Sequence, residues 1–392
     1  MKLLFILTYY RPHVSGLTIY VQRLAEALVG HGHRVTVLTS QYDKLLPSQE
    51  TLNGVTLVRV PVSFWISKGV IMFSYPKVIL PLLATHDLIS IHLPNTPMEA
   101  MIVPFLTRYL IRRPITATFH CDIKLPDGLF NRFVNQAVFG SNLIAGLLVD
   151  RVIAYTEDYA DHSRFLRLFR KKREIIPPPI LVEAPEPASL SPFRLRQGPH
   201  GEPLIGFAAR FAAEKGVEYM LHALSLILKE IPNVKVLFVG EHQNVIGEGR
   251  YRERLKPLLA KFRNHWTFLG VLNPKQMATF FSVCDVTVLP SINCTESFGL
   301  VQVESMLCGT PVVVTDLPGV RVPVQLTKMG RIVPICDVDG LATAVIEVIQ
   351  HRKRYVRPRA EIEHYFSMEK TVRSYETLFE NLVKLYGREQ IT

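Results

Sequence analysis

The stretch that most constrains this chain runs from Asp285 to Thr315. Asp285 to Pro290 is a short apolar run bounded like a buried strand, and Val312 to Thr315 is another. Between them Leu300, Val303 and Leu307 recur at helical spacing, and Gly309 and Pro311 stop the helix. Strand, polar loop, helix and strand make a βαβ unit, which requires a parallel sheet with helices on its faces. Glu296 falls in the loop and Glu304 on the helix, about two turns further on. Ser297, Phe298, Gly299 and Leu300 bring backbone N–H groups to the helix start. A helix N-terminus attracts anions through those amides and its positive dipole end, and glycine allows close approach. Glu296 then suits hydroxyls beside the anion, and Glu304 a second polyol. A phosphate between two sets of hydroxyls describes a nucleotide sugar. The same residues also fit a plainer reading, with Glu296 a charge favoured by the dipole and Glu304 a solvated helix residue.

A chain of 392 residues with 48% hydrophobic and 20% charged residues can build two or three real cores and is not disordered in composition. Its five cysteines are scattered without a CxxC pair, so neither a zinc site nor a disulfide framework is expected, in keeping with a reducing, cytoplasmic setting. The apolar run Leu3–Leu7 is too short for a signal peptide or a span and reads as a first buried strand. The net charge of +11 points to an anionic partner, whether nucleic acid, lipid or acidic substrate. No nucleic-acid reader motif is present, so a nucleic-acid partner is not expected.

From the start, strands are expected at Lys2–Thr8 and Arg34–Thr39, with a helix between them carrying Leu17, Val21, Leu24 and Leu28. Ser15-Gly16 then lies at a helix start beyond the first strand, where open α/β sheets bind ligands; as a local pattern it is a Ser N-cap. Val55–Pro61 is another strand. The greasy stretch Phe64–Tyr75 is expected to be a helix packed on the core, with an acceptor- or membrane-contacting loop as the alternative. Asp87–Leu93 and Pro114–His120 are strands, the second ending in His120-Cys121-Asp122. Arg151–Thr156 is a strand followed by a helix from Glu157 that runs into Arg164–Arg173. There Arg164, Arg167, Arg170, Lys171, Lys172 and Arg173 are basic and the other four residues apolar, a pattern of membrane-surface helices as well as of solvated helix ends. Eight prolines between Pro177 and Pro203 suggest an irregular, semi-rigid linker.

Beyond it, Leu204–Ala208 opens a second domain. Arg210 and Lys215 follow, one loop apart, where a strand meets a helix. They suit a diphosphate, Arg as a fork and Lys as a point charge, or are two exposed loop cations. Strands at Val234–Gly240, Trp266–Gly270 and Gly330–Pro334 complete the pattern, and Asp337 or Asp339 caps the helix that follows. Cys294 and Cys308 flank the opening stretch and are expected to be small buried residues. The C-terminal segment carries Val372, Tyr375, Leu378, Leu382 and Leu385 along one stripe.

Pro290-Ser291, Glu296-Ser297-Phe298-Gly299, Glu304, Gly309 and Pro311-Val312 together resemble the signature of glycosyltransferase family 4, retaining enzymes of the GT-B fold. Arg210, Lys215 and Gly216 match the family's Arg-x-x-x-x-Lys-Gly motif. Ser297 stands where the family usually has Gly, and Ser15 where it has the first of two glycines. The resemblance implies two Rossmann-like α/β domains facing across a cleft, residues 1–180 and 203–365. Residues 181–202 form the linker, and a terminal helix in 366–392 crosses back to the first domain. It implies transfer from a nucleoside diphosphate sugar, UDP- or GDP-linked, to a hydroxyl acceptor such as a membrane lipid or a lipid-linked glycan. No cofactor or divalent metal is implied. Arg210 and Lys215 would contact the diphosphate, Glu296 the donor sugar, and Glu304 the ribose. His120 would lie against the transferring sugar, with Gly16, Gly240 and Val271 near the donor and Asp122 orienting His120 or meeting the acceptor. An anionic membrane surface remains a second expected partner. Other GT-B enzymes, an epimerase or a phosphorylase, and a non-catalytic sugar-nucleotide binder share the fold and stay open on sequence alone.

Overall fold

The computed structural model describes residues 1–66, 69–125, 128–185, 187–198, 200–243, 245 and 247–389. The chain divides into two compact units, Met1–Pro179 with Met368–Thr392, and Ile180–Ser367.

The first unit holds strands β1 (Lys2–Ile6), β2 (Arg34–Gln41), β3 (Gln49–Leu52), β4 (Val55–Pro61), β5 (Phe64–Ile66), β6 (Gly69–Ile71), β7 (Leu88–Leu93), β8 (Ile115–Phe119), β9 (Arg151–Ala154) and β10 (Arg173–Ile175). Its helices are α1 (Gly16–Gly30), α2 (Tyr75–Thr85), α3 (Pro97–Phe105), α4 (Leu129–Leu148) and α5 (Glu157–His162). The main sheet runs β10-β9-β8-β7-β1-β2-β4-β3, parallel except for β3, which pairs antiparallel with β4 at the edge. β7 and β8 are buried at every residue, as strands covered on both faces must be. Helix α1 starts where Ser15 accepts a hydrogen bond from the Thr18 amide while Thr18 accepts one from the Ser15 amide, a closed capping box. The C-terminal helix, Met368–Glu389, belongs to this unit. Its Tyr375 hydroxyl lies 2.5 Å from that of Tyr20, and its Phe379 ring meets Phe5 edge-on. The buried stripe is Val372, Tyr375, Phe379 and Leu382; Leu385, expected on it, is half exposed.

Two expectations fail in this unit. Phe64–Tyr75 is not a helix: β5 and β6 pair antiparallel, and residues 67–68 between them lie outside the described residues. Burial alternates there, Val70 and Met72 inside and Phe73 outside, which is the period of a strand. Nor is Glu157–Arg173 a continuous basic helix. α5 ends at His162, a kinked 3₁₀ segment spans Leu166–Lys172 with non-helical Phe169, and Arg173 begins β10. Phe165, Leu166 and Phe169 turn into the core, and the polar neighbours take up several cations. Lys172 donates to the carbonyls of Leu147 and Val149 that end α4, at 2.7 and 2.8 Å. Arg173 pairs with Asp161 and Glu157, and Arg164 stacks 4.0 Å from the centre of the Phe139 ring. Arg167, Arg170 and Lys171 remain on the outside.

The second unit holds β11 (Leu204–Ala208), β12 (Lys235–Val239), β13 (Trp266–Gly270), β14 (Val286–Leu289), β15 (Val312–Thr315) and β16 (Gly330–Val333), all parallel, in the order β13-β12-β11-β14-β15-β16. Numbered within the unit this is 3-2-1-4-5-6, the doubly wound order of Rossmann-like sheets. Helices α6 (Pro187–Gln197), α7 (Val217–Glu230), α8 (Gly249–Lys261), α9 (Pro274–Val283) and α10 (Leu300–Leu307) precede four further short or medium helices up to Tyr365. α6 corrects the expectation of an irregular linker over 181–202. Its Leu190 and Phe193 pack on the core formed by β11, β12 and α9, so apolar burial overrides the proline content there. Phe207, Phe238, Trp266 and Phe268 form one aromatic cluster across β11, β12 and β13. Asp337 caps the helix from Val338 by accepting from the Gly340 amide at 2.9 Å.

Candidate active site

In a doubly wound sheet the loops after the two central strands part in opposite directions, leaving a crevice at the carboxyl ends. In the second unit those strands are β11 and β14. The loop after β11 carries Arg210 and Lys215; the loop after β14 carries Glu296 and leads into α10. Lys215 Nζ lies 2.6 Å from Glu296 Oε2, both side chains mostly buried, although the residues are 81 apart in sequence. The Ile292 amide donates to the Glu214 carbonyl at 3.0 Å, stitching one loop to the other. Gly216 makes the approach possible. It adopts φ +71°, and a Cβ there would lie 1.9 Å from the Pro290 carbonyl oxygen.

The Glu296 loop is braced from below. Asn293 Oδ1 accepts from the Thr295 amide at 3.0 Å, and the Thr315 hydroxyl donates to the Ser291 carbonyl at 2.6 Å. Gln302, fully buried, donates from Nε2 to the carbonyls of Phe298 and Val320. Sequence reasoning missed Gln302, and nothing in its local pattern marks it. Gly299 is left-handed at φ +76° and opens α10, with Ser297, Phe298 and Gly299 buried beside it. Glu304 is 8% exposed, so it is not the solvated helix residue of the plainer reading. Arg210 is partly exposed and pairs with Glu214 at 3.1 Å. Gly240 follows β12 at φ +133°, where a Cβ would meet the Ala209 carbonyl oxygen at 2.0 Å. Val271 follows β13 and is exposed. Arg210, Lys215, Gly240, Val271, Glu296 to Leu300 and Glu304 thus all belong to one unit.

Burial disfavours the thiolate form of two cysteines near these loops. Burial pushes the Cys284 thiol up strongly and the Cys308 thiol up to about 11. Cys294, expected to be buried, is exposed.

In the first unit the corresponding switch lies between β1 and β7. The loop after β7 is fixed by Thr96, Glu99 and Thr8. Glu99 Oε2 accepts from the Thr8 hydroxyl at 2.9 Å and the Thr96 hydroxyl at 2.6 Å, and burial raises its carboxyl above the usual range. The signal for Glu99 was present in the sequence as a Thr-Pro-Met-Glu capping box. His120 follows β8 and is buried. Its Nε2 meets His92 Nδ1 at 3.0 Å, and its Nδ1 meets the Tyr155 hydroxyl. Burial and the neighbouring His92 hold His120 well below the ordinary imidazole range. Asp122 does not orient it through these bonds: the Tyr159 hydroxyl donates to the Asp122 carboxylate at 3.1 Å, while Tyr155 and His92 hold His120. Gly16 is exposed with open space at its Cα. Among the described residues no group of three or more His, Cys, Asp or Glu is arranged to hold a metal ion.

Comparison with known proteins bears on the family and the fold. Residues 14–183 match the family model Glycosyltransferase Family 4, and residues 194–364 match Glycosyl transferases group 1. An uncharacterized glycosyltransferase of Methanocaldococcus jannaschii is 26% identical, over 99% of this chain and 100% of the relative. The phosphatidyl-myo-inositol mannosyltransferase of Mycolicibacterium smegmatis is 27% identical over 93% of this chain and 90% of its own. Among solved structures, the sucrose-phosphate synthase of Thermosynechococcus elongatus superposes with a TM-score of 0.81 at 21% identity, covering 98% of this chain and 99% of its own. Anabaena HepE in complex with UDP and glucose does so with a TM-score of 0.78 at 19% identity, covering 97% and 100%. Two doubly wound units, the joined Lys215 and Glu296 loops and these matches lead to one conclusion: the chain belongs to glycosyltransferase family 4, has the GT-B fold, and transfers a sugar from a nucleotide-sugar donor.

Proposed function

We propose that the enzyme is a retaining hexosyltransferase that takes its sugar from a UDP- or GDP-linked donor and delivers it to a hydroxyl of a membrane lipid or lipid-linked glycan. The observation that carries the donor side is the 2.6 Å contact of Lys215 with Glu296 at the switch point of the second sheet. A cation suited to phosphate and a carboxylate suited to hydroxyls share one crevice, as a donor whose diphosphate adjoins its sugar demands. In the reaction the bond from the anomeric carbon to the diphosphate breaks, the diphosphate keeps the electron pair, and the acceptor oxygen bonds to that carbon as its proton passes to the departing diphosphate. Arg210 and Lys215 neutralise the charge that develops on the leaving group, with the amides of Phe298 to Leu300 at the start of α10 adding fixed dipoles. Glu296 holds the donor sugar and Glu304 the ribose. Gly240 and Val271 offer backbone to the nucleotide; Gly16 is assigned to the donor through the family resemblance.

His120 and Asp122 are assigned through the family resemblance. Both ring nitrogens of His120 already have partners, so a sugar hydroxyl must displace one of them. The lipid acceptor is supported by the phosphatidyl-myo-inositol mannosyltransferases among the relatives. Among the described residues no helix is long and apolar enough to cross a membrane, and we place the enzyme peripherally at the cytoplasmic face.

A thermal-shift panel of UDP, GDP, ADP and their sugar conjugates tests the donor. A nucleotide at 100 times its dissociation constant adds about 2.7 kcal/mol of stability. A shift with UDP or GDP supports the reading, and no shift with any nucleotide contradicts it. The anomeric configuration of the product, read by NMR, tests retention.

A further inference from the structure

Helix α4 carries large apolar residues on its outer face. Its fully buried residues are Ser141, Asn142, Ala145 and Gly146, with Phe139 and Leu143 packed on the core beside them; Leu129, Phe130, Phe133 and Leu147 face outward. Gly146 shows why the inner face is small: a Cβ there would lie 2.5 Å from the Phe169 ring. Phe133 is 71% exposed and Leu129 86% exposed. Of the twenty residues of α4 only Arg132 is charged. Helix α3 packs beside α4; Phe105 at its end and Tyr109 and Leu110 in its continuation, Leu106–Ile111, are all more than half exposed. A monomer in water rarely leaves so much apolar surface open.

The charges around this face are mostly positive. Between Pro97 and Val149 the cations Arg108, Arg112, Lys124 and Arg132 are exposed, Arg108 being paired with Asp150 at 3.0 Å. The acidic residues of that span are Glu99, buried; Asp122, bonded to Tyr159; and Asp127, which lies outside the described residues. Arg164 on Phe139, with outward Arg167, Arg170 and Lys171 after it, extends the positive rim along α4. A face with a net positive rim repels a second copy of itself across a two-fold axis, whereas an anionic leaflet attracts it while its apolar residues enter the headgroup boundary.

We propose that the α3–α4 face docks on an anionic lipid bilayer, with α4 lying in the interface rather than crossing it. This deepens the lipid-acceptor reading above and rests on the enzyme working at a membrane, but not on the donor site. It moves the contact from the Arg164–Arg173 segment, whose helix the structure breaks, to the apolar helix beside it.

The test is flotation of the full chain with vesicles of phosphatidylcholine alone and of phosphatidylcholine mixed with phosphatidylglycerol. The Phe130→Ser/Phe133→Ser and Arg112→Gln/Arg132→Gln double variants are compared with the wild type. Wild-type partitioning should require the anionic lipid and fall with added salt. The apolar double variant should lose tenfold or more, and the basic one roughly fivefold per arginine neutralised. All should keep the melting temperature and nucleotide shift of the wild type, which separates loss of docking from loss of the donor site. Equal binding to neutral and anionic vesicles, or unchanged binding by the apolar variant, would overturn the proposal. So would a stable wild-type dimer by light scattering that the Phe130→Ser/Phe133→Ser variant dissolves, because the occupant would then be a second copy.

Discussion

At the residue scale the account turns on Lys215, Glu296 and the glycine beside them. A charge-stabilising group at a reacting centre commonly contributes two to three orders of magnitude to turnover. Lys215→Ala and Glu296→Ala should therefore each lower turnover by two orders of magnitude or more in a steady-state assay with the donor chosen by the nucleotide panel. Near-normal turnover in both would remove the site. Gly216→Ala tests the geometry without touching a charge. The new methyl group would meet the Pro290 carbonyl in a backbone conformation that L-residues avoid. The two loops must part, so nucleotide affinity should fall tenfold or more by calorimetry, with Arg210, Lys215 and Glu296 all still present. The sequence marks Lys215 and Glu296 as chemically suited to a donor. It does not show that they touch, because 81 residues separate them and the crossovers of the sheet bring them together.

At the element scale, the parallel strands were legible because both faces are covered and their sequences are continuous apolar runs. β11, β14 and β15 fall where the runs fall. The β5–β6 hairpin was not, since strands of three residues are too short to show a period amid aromatic residues. The basic segment misled for a different reason: its apolar residues suit an amphipathic helix, but Phe169 is drawn into the core where Gly146 makes room for it. Gly146→Val should show this. Forcing a branched side chain against the Phe169 ring typically costs about 1–3 kcal/mol, read as a lower urea midpoint for the first unit. An unchanged midpoint would mean that the 3₁₀ segment is not anchored there. The apolar outer face of α4 escaped sequence reading because an apolar helix looks like core until its neighbours are known.

For the whole molecule, acid should weaken the first unit. Burial lowers His92 to about 3 and, with His92 beside it, His120 well below 6.5. Both are neutral when folded, while the unfolded chain protonates them near pH 6.5, so the unfolded state binds more protons below that pH. Stability should therefore fall as pH drops below about 6.5, since unfolding then takes up protons at both groups. Urea melts between pH 7.5 and 5, in a Trp266→Phe background where Trp65 alone reports, give the slope. His92→Phe should flatten it, and a slope that does not change would refute the assignment. The measurement closest to the central claim is calorimetric titration of the wild type and Lys215→Ala with the preferred nucleoside diphosphate and its monophosphate. The account predicts that the wild type favours the diphosphate strongly and that Lys215→Ala loses most of that preference while still binding the monophosphate. Equal preference in the two proteins would mean that Lys215 does not read the diphosphate, and the crevice between the Arg210 and Glu296 loops would not be the donor site.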